Sequence, residues 1–355
     1  MASRSIVGLE IAEHWVRGVE LTRPGSRKPV VRAVGEVALP EGAALDSEVL
    51  DNEAVAVALT QLWSQAGFKS KEVVLGVGNR RVLVREYVAP DLPLEQIKQA
   101  LRFQVQDLLP VPVEQAVLDF YPVEPTTAAD GSPAVSGLLV SAVSDNIQGL
   151  LNAISSAKLK LVGVDLAPFG LARIAARVAQ PGVRSLVINV GASTSWFVVV
   201  EDSVPRFVRI VPAGLAVGRV ADGHHRLQAP AAAPGVPVAA PEPEPVSSPF
   251  PGMALPASEG VAEAPADQVQ EFVTWFTGTR DFYERAHPEH PLRHVLLTGE
   301  GSLHEELVDR LRQVSDVGVE TFGLTDAFAV ANPSGDLALD CSAITAAGVA
   351  IGGEQ

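Results

Sequence analysis

The chain has 355 residues, room for two or more domains at roughly 150 residues each, and its 47% hydrophobic and 19% charged content excludes a wholly disordered chain. Its 27 Lys and Arg against 42 Asp and Glu leave a formal charge of −15, which repels phosphate backbones and anionic lipid surfaces and argues against nucleic acid as a partner. A single cysteine, Cys341, excludes an internal disulfide and reads as a small buried thiol.

The N-terminal stretch carries no apolar signal core, because Glu10 and Glu13 interrupt it. Residues 5–39 read as three strands, SIVGLEI, WVRGVEL and PVVRAVGEVAL, in an antiparallel meander. A helix capped by Asp51 carries Val55, Leu59, Leu62 and Ala66 at spacings of three and four and stops at Gly67; a short strand over 73–77 follows. From Arg81 the pattern becomes strand VLVREYV, a helix with Ile97, Leu101, Val105 and Leu108 on one face, strands AVLDFYPV and VSGLLVSAV, and a helix over 145–157. This is a small β-α-β-β-α unit inserted in something larger.

After strand LVGVD and a helix over 168–179, a second meander opens with SLVINV, the turn GAST, SWFVVVE and VPRFVRIV. Laying Leu9-Glu10-Ile11-Ala12 over Ile188-Asn189-Val190-Gly191 brings the two tight turns into register, as an internal repeat of two lobes would. The apolar run 185–200 is shorter than the ~20 residues of a membrane-spanning helix, so direct membrane insertion is not expected. Residues 227–266 are roughly half Pro and Ala and read as a disordered loop. Beyond it come a helix with Val269, Phe272, Val273, Phe276 and Phe282 facing a core, strand HVLLTG, a helix over 303–314, strand VGVETF and a terminal helix over 342–351. His287, His290 and His294 are broken up by Pro288 and Pro291 and, with His304, read as solvated rather than metal-binding; no nucleophile elbow, zincin or Walker motif occurs.

Strand, small-residue turn and strand, repeated in two lobes, is how actin-like ATPases present backbone N–H groups to phosphates. The opening GLEIAEHWVRGVEL, the run VLVREYVAPDLPLEQIKQALRFQVQDLLPVPVEQAVLDF, LVINVGAST and LLTGEGS resemble the PilM family, the cytoplasmic actin-like proteins of type IV pilus assembly. The resemblance implies an α/β, two-lobed actin-like fold of duplicated ribonuclease H-like cores with an inserted α+β domain. On it, 1–79 form the first lobe, completed by 337–355; 80–160 are the insert; 161–226 and 292–336 form the second lobe, and 267–291 a helical subdomain of it. It also implies ATP between the lobes, a cytoplasmic location at the inner face of the membrane, capture of the cytoplasmic tail of PilN, a single-span membrane protein, and the pilus motor ATPases as further partners.

On this resemblance the cleft residues are Glu10, Ala12, Glu13, Arg17, Asn189, Gly191, Ser193, Thr194, Gly214, Gly299 and Gly301. Several depart from the family pattern. Glu13 stands among the small hydroxyl residues of the first turn, Arg17 in place of the lysine, Asn189 in place of a metal-orienting aspartate, and Glu300 in place of a glycine. Two carboxylates beside a polyphosphate repel it, so the expectation is a non-catalytic adaptor with lost or weak ATP and Mg binding. The alternative is an active actin-fold ATPase or a sugar-kinase-like enzyme. Arg85, in strand VLVREYV, is either a residue of the tail-binding groove or an internal salt-bridge partner.

Overall fold

A computed structural model describes residues 4–26, 28–46, 48–215, 265–331 and 336–352. The Pro/Ala-rich stretch expected to be disordered over 227–266 lies outside the described residues up to position 264.

β1 (Ser5–Ile11), β2 (Trp15–Thr22) and β3 (Val30–Ala38) form the first antiparallel meander. A ribbon of β4 (Ala44–Leu45) and β5 (Glu48–Val49) follows, too short to carry a period-2 signal in the sequence. α1 (Asn52–Ala66) begins where the Asp51 carboxylate accepts from the amides of Glu53 and Ala54, and ends at Gly67, whose φ of 66° is the left-handed stop that glycine adopts at least cost. After β6 (Glu72–Val77) come β7 (Leu83–Pro90), α2 (Leu94–Gln104), β8 (Ala116–Thr127) and β9 (Pro133–Val143). α3 (Ser144–Ser156), β10 (Lys160–Leu166) and α4 (Ala167–Val178) lead into the second meander, β11 (Ser185–Asn189), β12 (Ser195–Glu201) and β13 (Val204–Val211). The chain then runs through α5 (Pro265–Ala286), β14 (His294–Thr298), α6 (Glu305–Val314), β15 (Gly318–Thr321) and α7 (Leu324–Ala327). It closes with β16 (Ala329–Val330), α8 (Leu337–Ser342) and α9 (Ile344–Gly352).

The two meanders lie in separate sheets of like topology. The first runs β10-β6-β1-β2-β3-β16 and the second β13-β12-β11-β14-β15. In each, a three-stranded antiparallel meander is extended from its first strand by two parallel strands: β6 and β10 beside β1, β14 and β15 beside β11. Glu10 pairs with Arg17 and Gly76 in the first sheet as Asn189 pairs with Trp196 and Thr298 in the second, so the internal repeat holds residue for residue.

Both sheets are covered on both faces, which is why their strands read as nearly continuous apolar runs. In the second sheet Val187, Val198 and Val200 face the core shared with the first lobe, while Leu186, Ile188, Phe197 and Val199 face the core under α5 and α6. Between the sheets, α9 lies across β1, β2 and β6 and crosses α4. The approach is backbone to backbone: a Cβ on Gly348 would lie 2.2 Å from the carbonyl oxygen of Gly170, and one on Gly8 of β1 would lie 1.8 Å from that of Ala346.

Three expectations are corrected. First, β10, expected at the start of the second lobe, pairs parallel with β6, and β16, expected in the same lobe, pairs with β3. The chain finishes the first sheet before it crosses over, and returns to it before the terminal helices. Second, the helix expected to close the insert, α3, packs instead on α1, with Leu150, Ala153 and Ile154 in the main core; the insert's own core is Ala89, Ile97, Leu101, Val105, Phe120 and Leu139. Third, Phe282 is 51% exposed, and Tyr283, at 1%, takes the expected core position. Six residues beyond Phe276 is a turn of about 600°, onto the far side of the helix, whereas seven residues is close to two full turns.

Candidate functional site

The β1–β2 turn and the β11–β12 turn face each other across a cavity of about 50 Å³. Of the residues expected at the cleft, Glu10, Ala12, Glu13, Arg17, Asn189, Gly191, Ser193, Thr194 and Gly299 line it. Gly214 and Gly301 stand behind it: a Cβ on Gly214 would meet the Gly191 carbonyl oxygen at 2.3 Å, and one on Gly301 the Val190 side chain at 2.4 Å. Both are small so that segments can pack on the second turn.

Four amides at the cleft are engaged within the chain. Ala12 N–H donates to Trp15 O at 2.8 Å, Gly299 N–H to Cys341 O at 3.3 Å, and Gly301 N–H to Val190 O at 3.0 Å. Gly191 N–H donates to Ser195 Oγ at 3.2 Å. The second turn's hydroxyls are likewise taken by carboxylates from the first lobe. Ser193 donates to Glu13 Oε2 at 3.0 Å, and Thr194 to Asp46 Oδ1 at 2.9 Å. Asp46 is held in turn by the backbone N–H and Nε of Arg80, at 3.1 and 2.9 Å.

Deeper in, Arg17 hydrogen-bonds Glu36 of β3 through Nε and reaches Glu300 Oε2 through Nη2 at 3.2 Å. All three side chains are at least 93% shielded from solvent, since none exceeds 7% relative exposure. Burial alone would lower Arg17, but Glu36, Glu300 and Glu10 together outweigh it and raise the guanidinium above its ordinary value. Glu10 is the surplus acid of this group. Burial pushes its carboxyl up to about 7, against the opposing pull of Arg17 and with repulsion from Glu300 and Glu36 added. Glu300, expected at a phosphate-facing glycine turn, is thus a buried ion-pair partner, and Arg17, expected to keep a lysine's charge for the cleft, spends it on two of the chain's own acids.

The repeat gives these contacts a pseudo-twofold relation. Arg17 of β2 crosses to Glu300, two residues past β14; its counterpart Trp196 of β12 crosses to Gly78, the counterpart of Glu300 just past β6, donating from Nε1 to the Gly78 carbonyl at 2.7 Å. Sequence reasoning missed Glu36, Asp46, Trp196 and Gly78. Glu36 was legible, because in the meander's register it pairs directly with Arg17. Asp46 lies on the irregular segment beside β4 and carries no sequence signal.

Other singled-out residues stand apart from the cleft. Arg85 is half-buried on β7, opposite Leu139 of β9. His287 stands 2.9 Å from Glu86, and His294 stands 3.5 Å from Glu320. Among the described residues no group of His, Cys, Asp and Glu is placed to hold a metal ion. Burial pushes the Cys341 thiol up to about 11, with a Ser302 hydrogen bond opposing. No helix among the described residues is long and apolar enough to cross a membrane.

Two sheets of ribonuclease H-like topology, with their first hairpin turns opposed across a cleft, define an actin-like protein, here with its own carboxylates in the cleft. A family model described as "Type IV pilus assembly protein PilM" matches residues 8–214, and the chain belongs to that family. A solved structure described as "PilM-PilN type IV pilus biogenesis complex" is similar at 22% identity, covering 99% of this chain and 98% of that one with a TM-score of 0.74. More distant is the ethanolamine utilization protein EutJ from Carboxydothermus hydrogenoformans, at 9% identity, 99% and 90% coverage and a TM-score of 0.46. A Bacteroides thetaiotaomicron protein with actin-like ATPase fold matches at 7% identity, 92% and 93% coverage and a TM-score of 0.47.

Proposed function

We propose that this PilM-family chain is a nucleotide-independent adaptor at the inner face of the cell membrane, holding the cytoplasmic tail of a PilN-like membrane protein. The observation that carries the first half is the self-occupied cleft. A cavity of about 50 Å³ is far below the roughly 300 Å³ at which organic-ligand pockets begin. The four cleft amides and two turn hydroxyls named above already have partners in the chain, and Glu13, Asp46 and Glu300 line the cavity with carboxylates, which disfavour a polyphosphate there. The residues present therefore fit ATP and Mg poorly, and no chemical step is assigned to them. An active actin-fold ATPase or sugar-kinase-like enzyme is the disfavoured alternative.

Mg-ATP at about 1 mM should leave the melting temperature unmoved, because a ligand raises it only by binding the native state. Phosphate release should not exceed background. Glu13→Ser, Asn189→Asp and Glu300→Gly together should strengthen Mg-ATP binding by calorimetry. Low-micromolar binding to the unaltered chain would overturn the reading.

Support for the second half comes from family membership, from the PilN named in the similar complex, and from the insert's surface. Val88, Leu92 and Phe103 on the insert, and Leu45 and Leu50 on the first lobe, are apolar side chains left exposed, Phe103 at 81%. An extended tail in a groove between insert and first lobe would combine main-chain hydrogen bonds with such contacts, and the charge of −15 favours a tail bearing Lys or Arg. Arg85 is assigned to the border of this groove, and the motor ATPases are taken as further partners of the assembled complex. An N-terminal cytoplasmic peptide of the PilN-like partner should bind at about micromolar strength, more weakly as salt rises. It should protect residues 81–123 from hydrogen exchange. Protection confined to the second meander would refute the site.

A further inference from the structure

A second cavity among the described residues stands apart from the cleft. It measures about 470 Å³ and lies at the open edge of the first sheet, where β16 is the last strand. Arg23 and Lys28 line it from the connection between β2 and β3, Arg177 from the last turn of α4, and Phe328 and Pro29 from its apolar walls. That volume falls inside the roughly 300–1,000 Å³ range of small-molecule sites.

Its charge runs against that of the chain. Three cations meet one carboxylate, Asp326, and that carboxylate accepts the Gly323 amide at 2.8 Å. In a protein of net charge −15, a concave cationic surface is a local exception that draws anions against the long-range field.

The Arg177 side chain is fixed by its contacts, and the backbone of Arg23 by a turn. The Arg177 guanidinium lies 4.8 Å over the Phe328 ring centroid and donates from Nε to Ala327 O at 3.1 Å, so its planar face is held against the apolar wall. Arg23 has a φ of 54°, a left-handed conformation that a non-glycine residue adopts at a cost. It is held there by its amide on Arg4 O at 2.9 Å and by the Ser26 amide on its own carbonyl at 3.0 Å.

We infer that this cavity binds a phosphate carried on an apolar body, the phosphate facing Arg23, Lys28 and Arg177 and the body lying along Val30, Ala327 and Ala329, which are the lining's apolar residues left open to solvent. The inference is independent of the proposed adaptor role and of the cleft. A soluble organophosphate and the headgroup of an anionic phospholipid share this chemistry.

The test titrates the full chain by calorimetry with phenyl phosphate and with inorganic phosphate, and sediments it with vesicles of phosphatidylglycerol or of phosphatidylcholine. Phenyl phosphate should bind saturably and more tightly than inorganic phosphate. Arg23→Glu with Lys28→Glu, both on exposed side chains, should weaken it by at least about tenfold with the melting temperature unchanged. Sedimentation with phosphatidylglycerol alone, lost in that variant, assigns the lipid source; phenyl phosphate binding with both vesicles inert assigns the soluble one. Absence of saturable binding to every probe, binding indifferent to the charge reversal, or equal affinity for the two phosphates would overturn the inference. So would binding of a hexaglutamate peptide with all phosphate probes silent, which would mark a carboxylate-rich protein partner instead.

Discussion

Gly8→Ala should cost about 3 kcal/mol or more in urea unfolding, at the upper end of what one added methyl group does to a packed core. The methyl group would sit 1.8 Å from the Ala346 carbonyl oxygen, and backbone cannot step aside by changing rotamer. Gly348→Ala offers a sharper comparison, because two effects of opposite sign compete. In a helix the substitution gains about 1 kcal/mol in propensity. Here the new Cβ would lie 2.2 Å from the Gly170 carbonyl oxygen, so α4 and α9 must separate along their whole crossing. The clash should win and the variant should melt lower. A Gly348→Ala chain as stable as the unaltered one would show that the crossing is looser than described.

The second large effect is a pH dependence centred on Glu10. Its carboxyl titrates near 7 in the folded chain against an ordinary value of 4.5. As pH falls through 7 the folded state takes up a proton that the unfolded state does not, so folding is favoured progressively until about 4.5, below which both states are protonated. Stability from this group therefore falls as pH rises from about 4.5 to 7 and is level above. Glu10→Gln should remove that slope, matching the unaltered chain in acid and exceeding it above neutrality by up to about 3 kcal/mol. Urea unfolding on both sides of the window measures it. A slope unchanged in the Gln variant would place the titration elsewhere.

What could be read from the sequence was what the chain encodes locally. Asp51 and Gly67 bracket α1 because caps act within one turn, and the meanders announce themselves through strand composition and short turns. The repeat of Glu10 and Asn189 emerged because duplicated lobes keep their registers. What depends on distant pairing was not legible. Nothing in LVGVD says that it joins β6 rather than opening the next lobe, and the apolar face of α3 fits the insert's core as well as it fits α1. At the cleft, the resemblance to the PilM family marked Glu13, Asn189 and Glu300 as departures from its pattern. Their sense came only with geometry: Glu300 is far from Arg17 in the chain and beside it in space. Phe282 was misplaced by one residue, enough on a helix to turn a ring from core to solvent.

The reciprocal reach of Arg17 to Glu300 and of Trp196 to Gly78 has a mechanical meaning. One contact between two bodies leaves a pivot, and two leave an axle; the close crossing at Gly170 and Gly348 adds a third point of approach between the sheets. One of the two reciprocal contacts is ionic and the other a neutral indole bond, so a substitution that removes the charge at residue 300 leaves the Trp196 bond in place. A pull on one lobe is carried to the other through these ties.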